Sequence, residues 1–168
     1  MINFALQNYE IFMIQRKQTL FLFFAVLSLA GLIFLPIASF IGEKDSLVLY
    51  VYKLVSLVPD SVTAFGSLFL LPLLSIVIVT AITSFGAIFM FKNRILQMRI
   101  VRLMVFLLIV AIGLFFLYYT NALEEASGGK ITPELGIYLI PVSILFLFFA
   151  LRGIIADERL IRSSERLR

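Results

Sequence analysis

Four long apolar runs, separated by shorter polar stretches, dominate the pattern of the chain. They cover residues 19–41, 67–91, 103–120 and 135–151, and no Asp, Glu, Lys or Arg occurs within them. Each run is long enough to cross the roughly 30 Å of hydrocarbon in a bilayer as a helix. The pattern therefore predicts an all-α fold, a polytopic membrane protein whose four transmembrane helices form two hairpins.

The stretch between the first two runs contains a further apolar segment, residues 47–58, which is too short to span a bilayer. Its β-branched and aromatic residues favour a β-strand or hairpin arm, so we expect a small β element in this first outside loop. The alternative is an interfacial segment, with Tyr50 and Tyr52 at the level of the lipid headgroups. In either case the segment needs cover, which makes the two tyrosines candidate contacts to lipid or to a partner.

Positive charge is concentrated on one side of the four runs. A basic island at residues 92–102 joins the second and third runs, and further cations precede the first run and follow the fourth. The opposite side carries only Lys44, Lys53 and Lys130, together with acidic residues. Because cytoplasmic loops carry the excess of Lys and Arg, the pattern predicts that both termini are cytoplasmic.

The pattern divides the chain into three parts. Residues 1–12 precede a second methionine and are interpreted either as an extension upstream of the true start or as an interfacial helix. Residues 13–151 are the predicted four-helix transmembrane domain, and residues 152–168 are a basic cytoplasmic tail helix. The tail is interpreted either as a helix whose arginines are attracted to anionic headgroups or as a docking helix for a cytoplasmic partner. Its candidate contacts are Arg159, Arg162 and Arg166, and its predicted small or apolar face includes Gly153, Ala156 and Leu160.

The second apolar run carries small and hydroxyl residues four apart, a spacing that lets membrane helices approach closely. These candidate packing residues are Thr80, Thr83, Ser84 and Ala87. Packing within the chain is the favoured interpretation, and a seam between copies in a homo-oligomer is the alternative.

The composition excludes several kinds of chemistry. The chain has no cysteine and no histidine, which removes disulfide exchange, thiolate and imidazole metal sites, and Ser-His or Cys-His nucleophiles. The cations lie at the ends of spans rather than on one clustered face, which argues against nucleic acid as a partner. The adjacent acids at 124–125 and 157–158 are interpreted as solvated charge. We therefore expect no catalytic, cofactor or metal site.

The two ends of the chain have recognisable sequence motifs. Residues 13–19 read MIQRKQT and are followed by LFLFFA, and the chain closes on DERLIRSSERLR. These ends resemble those of the domain-of-unknown-function family 4293. The resemblance implies a small four-span protein of the bacterial inner membrane with no established activity, so it assigns no catalytic or binding residue.

These patterns favour a non-enzymatic accessory or structural subunit of an inner-membrane protein assembly, with membrane lipid and another membrane protein as partners. The alternative function is an oligomeric transporter or channel component, with a polar path formed by the hydroxyls of the second run. A third hypothesis, an enzyme acting on lipids, would depend on Glu124, Glu125 or Asp157.

Overall fold

The computed structural model shows a bundle of helices that carries a four-stranded sheet at one end. It describes residues 2–58, 65–66, 68–90 and 93–165, with side chains in these ranges from Gln18 to Leu160 and at Ser163. The helices are α1 (Ile2–Phe34), α2 (Leu71–Phe89), α3 (Arg94–Leu114), α4 (Thr120–Ser127) and α5 (Leu135–Glu165), with a π-helical turn (Phe115–Tyr119) between α3 and α4. The strands are β1 (Ala38–Ile41), β2 (Ser46–Leu49), β3 (Leu54–Ser56) and β4 (Lys130–Pro133).

The four long helices form a closed ring. Helix α1 packs against α2 and α5, and α3 also packs against α2 and α5. Aromatic contacts follow the antiparallel α1–α5 pair, where Phe21 meets Phe149 at 5.5 Å and Phe24 meets Phe146 at 5.4 Å between ring centroids. The ring therefore buries one apolar stripe from each helix and leaves the opposite faces outside.

Three helical segments of the described chain are long and apolar enough to cross a membrane: Leu71–Phe89, Arg94–Ser127 and Leu135–Leu160. A shorter apolar stretch, Gln18–Phe34, belongs to α1. Large apolar side chains lie on the outer faces of the helices, and Leu117, for example, is 78% exposed. Extensive exposed apolar surface is unusual for a soluble monomer, so the helices indicate a membrane protein. The predicted fourth crossing, by α1, stays a prediction.

The first helix ends before the predicted span at 19–41 does. Helix α1 stops at Phe34, and Ala38–Ile41 forms strand β1. Pro36 explains the break, because its ring disfavours helical geometry at the preceding residue and it has no N–H to donate. An apolar run can therefore contain both the end of a helix and the start of a strand.

Three other predicted boundaries also differ from the structure. Helix α3 begins at Arg94, where the Asn93 side chain accepts the N–H of Leu96 at 3.3 Å, so most of the basic island at 92–102 is helical. The same helical segment continues through the π-helical turn to Ser127, beyond the predicted end at 120. Helix α2 is shorter than the predicted span at 67–91. Helix α5 continues without a break into the predicted tail.

The sheet is larger than the predicted β element and changes the expected all-α class to a mostly helical one. Its strand order is β3-β2-β1-β4, and all pairs are antiparallel. Strands β2 and β3 confirm the strand interpretation of residues 47–58. The central strand β1 pairs with β2 on one side and with β4 on the other, so that Ala38 lies between Leu49 and Pro133. The sheet thus joins the two predicted outside loops.

Close backbone packing joins the sheet to the end of α4. A Cβ atom at Gly42 would overlap the carbonyl oxygen of Ser127, and one at Gly129 would overlap that of Ile41. The buried Asp45 carboxylate accepts hydrogen bonds at 2.7 Å from the Ser46 N–H and from the Ser56 hydroxyl. These contacts make the sheet an integral part of the bundle.

Candidate functional site

The bundle has two chemically different ends. The sheet end carries the four strands, and the tail end carries the start of α3 and the basic continuation of α5. Polar side chains occur at both ends, and the small residues of α2 lie between them.

A buried polar pair ties α1 to α5 at the tail end. Gln18 Nε2 donates a hydrogen bond to Asp157 Oδ2, and the two side chains are 7% and 5% exposed. Gly153 leaves room for this contact, because a Cβ atom there would lie 2.8 Å from Gln18 Cγ. The contact therefore fixes the start of the apolar part of α1 against the end of α5.

The burial of Asp157 corrects the interpretation of residues 157–158 as solvated charge. Asp157 continues the buried stripe of α5 at helical spacing, after Leu147, Ala150 and Ile154. The predicted tail face is not this stripe, since Ala156 and Leu160 are exposed. The helical periodicity of α5 in the sequence already places Asp157 on this buried stripe. A carboxylate there is unexpected, because buried positions of a helix are normally apolar.

The described tail arginines lie on the outside of α5. Arg159 is exposed, and the Arg152 guanidinium lies 5.6 Å from the centroid of the Phe148 ring. The side chain of Arg162 and the whole of Arg166 lie outside the described residues. Arg159 is therefore the one candidate tail contact whose side chain can be placed.

A second polar contact at the tail end joins α2 to α3. Gln97 is buried, and its Nε2 donates to the carbonyl oxygen of Ala87 at 2.8 Å. That carbonyl lies in the last turn of α2 and also accepts the N–H of Met90 at 3.2 Å. Gln97 thus adds a second donor to the end of α2 and joins it to α3.

The candidate packing residues of α2 lie mainly inside the ring. Thr80, Ser84 and Ala87 are fully buried, whereas Thr83 is half-buried. The hydroxyls of Thr80 and Thr83 donate to carbonyl oxygens of their own helix at 2.7 and 2.6 Å. Ser84 Oγ is buried and has no hydrogen-bond partner. These residues therefore pack mainly within the chain. The alternative interpretation, a seam between copies in a homo-oligomer, stays a prediction.

The turn between β2 and β3 brings the two candidate tyrosines together. The Lys53 ammonium lies 5.0 Å from the Tyr50 ring centroid and 5.4 Å from that of Tyr52. The Ile37 N–H, just beyond α1, donates to Leu49 O at 2.7 Å. The turn therefore lies beside the C-terminal end of α1. Tyrosines are enriched at membrane interfaces, so the interfacial position of Tyr50 and Tyr52 stays a prediction.

The acidic side chains of the sheet end hold strands in place. Glu124 Oε1 accepts the N–H of Ile131 at 3.0 Å, and Glu134 Oε1 accepts the Ser39 hydroxyl at 3.0 Å. Glu125 is exposed. Across the described ranges, no group of His, Cys, Asp or Glu side chains could hold a metal ion. Glu124 and Glu134 therefore have structural contacts that account for them.

These features can be compared with what is known of related chains. A family described as "Domain of unknown function (DUF4293)" matches residues 14–167. The chain belongs to this family. The match confirms the resemblance seen at the two ends of the sequence. No curated protein and no solved structure matches the chain.

Membership of the family does not assign a site, because the family is described only as a domain of unknown function. The match begins at residue 14 and ends at residue 167, and it therefore includes both the Gln18–Asp157 contact and the basic tail. Gln18 and Asp157, far apart in sequence, lie side by side at the tail end of the bundle.

Proposed function

We propose that this member of the family is a four-span protein of the bacterial inner membrane, with both termini in the cytoplasm. Three helices have the length and composition to cross a membrane, and the apolar part of α1 packs beside two of the ring helices. The cations Arg94, Arg99 and Arg152 lie at the tail end. The excess of Lys and Arg in cytoplasmic segments supports this orientation.

Within the membrane it works as a non-enzymatic accessory subunit of a protein assembly. The observation that carries this proposal is the fixed direction of the basic tail. Helix α5 runs from the sheet end into the tail as one element, and Gln18 holds Asp157 where the helix leaves the ring. A helix that is already ordered loses less conformational entropy when a partner binds it. The tail thus supports a docking role for Arg159 and its neighbours.

The contacts of the other polar groups give less support to the alternative functions. Thr80 and Thr83 donate their hydroxyl protons to backbone carbonyls of α2, so in a polar path these hydroxyls could only accept hydrogen bonds. Glu124 accepts a backbone N–H of β4, and Asp157 accepts from Gln18. These groups stabilise the structure, which favours the accessory role over the channel and over lipid chemistry.

The test compares two sets of arginines at the same end of the bundle. One variant combines Arg159→Ala, Arg162→Ala and Arg166→Ala. The control combines Arg99→Ala and Arg102→Ala, which removes exposed cations from α3 instead. Native complexes are isolated from gently solubilised membranes, and their contacts are mapped by cross-linking mass spectrometry.

We expect the tail variant to lose a stoichiometric partner that the control keeps, while both variants insert in the membrane normally. Retention of the same complex by the tail variant would contradict the docking role. Equal loss in both variants would indicate general electrostatic attraction rather than docking by the tail.

A further inference from the structure

An apolar cavity lies between α3 and α5 near the sheet end. Its volume is about 270 Å³. Ile37 and Pro133 close it on the side of the sheet. Its two helical walls include Ile112, Phe115 and Phe116 on one side and Ile137, Tyr138 and Pro141 on the other. Neither the tail nor the packing residues of α2 contribute to it, so it is separate from the features described above.

An irregular stretch of helix forms part of each wall. On one side the π-helical turn begins at Phe115, whose carbonyl oxygen accepts the N–H of Thr120 five residues later. On the other side Pro141 lies inside α5 and cannot donate to the preceding turn. Prolines and π-helical turns both bend helices locally, and π-helical turns often occur at functional sites. The two irregularities explain why the helices do not close on each other here.

The lining of the cavity determines what can fill it. A bound water needs two to four polar partners, and the walls are built from aliphatic and aromatic side chains and prolines. The cavity is also larger than an apolar cavity of about 150 Å³ that accepts a benzene-sized molecule. An empty cavity destabilises a fold in proportion to its volume. An apolar occupant is therefore favoured over water and over vacancy.

The rim connects the cavity to the outer apolar surface of the bundle. Phe116 is 50% exposed and Tyr138 is 59% exposed. The neighbouring Leu117 and Leu135 are also largely exposed, so the rim continues the surface that faces lipid in the proposed orientation. Tyr138 lies one turn inside the start of α5, near the level at which tyrosines anchor to the membrane interface.

We propose that this cavity binds one acyl chain of a phospholipid from the leaflet at the sheet end of the bundle. The chain enters from the bilayer between Phe116 and Tyr138 and packs against Ile112 and Ile137, while its headgroup stays at the level of the sheet. The inference rests on the proposed membrane location, and it adds a specific lipid site to the accessory role.

The experiment uses the full chain in nanodiscs made with a phospholipid that carries a photoactivatable group on its acyl chain. After illumination, labelled positions are identified by mass spectrometry. Ile82 and Phe85, which are 66% and 55% exposed on α2, report the labelling by bulk lipid. We expect residues 112–116 and 137–141 to be labelled about fivefold more than these, the ratio that a preference of about 1 kcal/mol gives.

Two variants fill the cavity from opposite walls, and one matched variant does not. Ile137→Phe and Ile112→Phe place extra volume in the cavity, whereas Ile109→Phe adds the same volume on α3 at a side chain that is 55% exposed. We expect both filling variants to lose most of the excess labelling and Ile109→Phe to keep it. Thermal unfolding in detergent checks that all three remain folded.

The outcomes separate the lipid site from the proposed function. Uniform labelling of all outer helix faces, or an excess that both filling variants retain, would overturn the lipid site but leave the membrane location intact. An absence of labelling on α2, α3 and α5 together would contradict the membrane location itself. Cross-links from a partner polypeptide to Phe116 or Tyr138 in native membranes would assign the cavity to a protein side chain instead.

Discussion

At the scale of single residues, the contact between Gln18 and Asp157 holds a buried carboxylate between two helices. A buried carboxylate is costly unless it is paired and hydrogen-bonded. Here the Gln18 amide donates a hydrogen bond to it. The contact closes α1 onto the end of α5, whereas the buried Asp45 carboxylate of the sheet end accepts from Ser46 and Ser56, which are close to it in the sheet.

Replacement of Gln18 by Leu should therefore destabilise the protein by about 1–3 kcal/mol, because Asp157 loses its hydrogen-bond donor while it remains buried. The measurement is thermal or denaturant unfolding in detergent, followed by circular dichroism. The double variant Gln18→Leu with Asp157→Leu should be less destabilised than the sum of the single changes, since no buried carboxylate remains. A change within about 0.5 kcal/mol for Gln18→Leu alone would show that the contact contributes little to stability.

Residues differ in how far the sequence can predict their place. The spacing of small and hydroxyl residues in α2 predicts a packing face of four residues. Three of them, Thr80, Ser84 and Ala87, are buried, whereas Thr83 is half-buried. This much is predictable because helical periodicity is local. The partners Gln18 and Asp157 are 139 positions apart. The sequence around Gln18 does not indicate Asp157 as its partner, nor the reverse, because only the packing of α1 on α5 brings the two side chains together.

At the scale of elements, the helices follow the apolar runs, whereas the sheet depends on pairing between distant segments. Strand β1 is apolar and was interpreted as the end of the first span, and the short β4 lies in a loop that is largely polar. A strand needs a partner for its backbone groups, and β1 takes partners from both outside loops. Four-residue strands carry too little pattern to reveal such pairing from sequence.

The pairing of β1 with β4 can be tested directly, because the chain has no cysteine of its own. Ile41 lies opposite Lys130 in the register. Directly opposite residues have Cα atoms about 4.5–5.5 Å apart, within the range of a disulfide. The double variant Ile41→Cys with Lys130→Cys should therefore cross-link efficiently under mild oxidation, as measured by mass spectrometry of the linked peptides.

The control for this pair is Ile41→Cys with Thr132→Cys, two residues along the same face of β4. Diagonal neighbours at about 7–8 Å exceed the usual separation for a disulfide. We expect a much lower yield from the control. Similar yields from the two pairs would contradict a fixed register between the outside loops.

At the scale of the whole molecule, the two ends of the bundle differ in charge as well as in structure. Exposed arginines such as Arg99, Arg102 and Arg159 lie at the tail end, while Glu43 and Glu125 are exposed at the sheet end. Because orientation in the membrane follows the distribution of Lys and Arg, the asymmetry predicts that the sheet faces away from the cytoplasm. The same distribution predicts that α1 also crosses the bilayer, beside α2, α3 and α5.

Single cysteines in an otherwise cysteine-free chain can test both points in spheroplasts of a bacterial host, with a thiol reagent that does not cross membranes. Lys130→Cys and Ile41→Cys, both at exposed positions of the sheet end, should react in intact spheroplasts. Arg99→Cys should react only after lysis. Gln15→Cys decides the crossing by α1, and we expect it to behave like Arg99→Cys. If Gln15→Cys instead reacts before lysis while Arg99→Cys stays protected, α1 does not cross, and the protein has three spans with its amino-terminal segment outside.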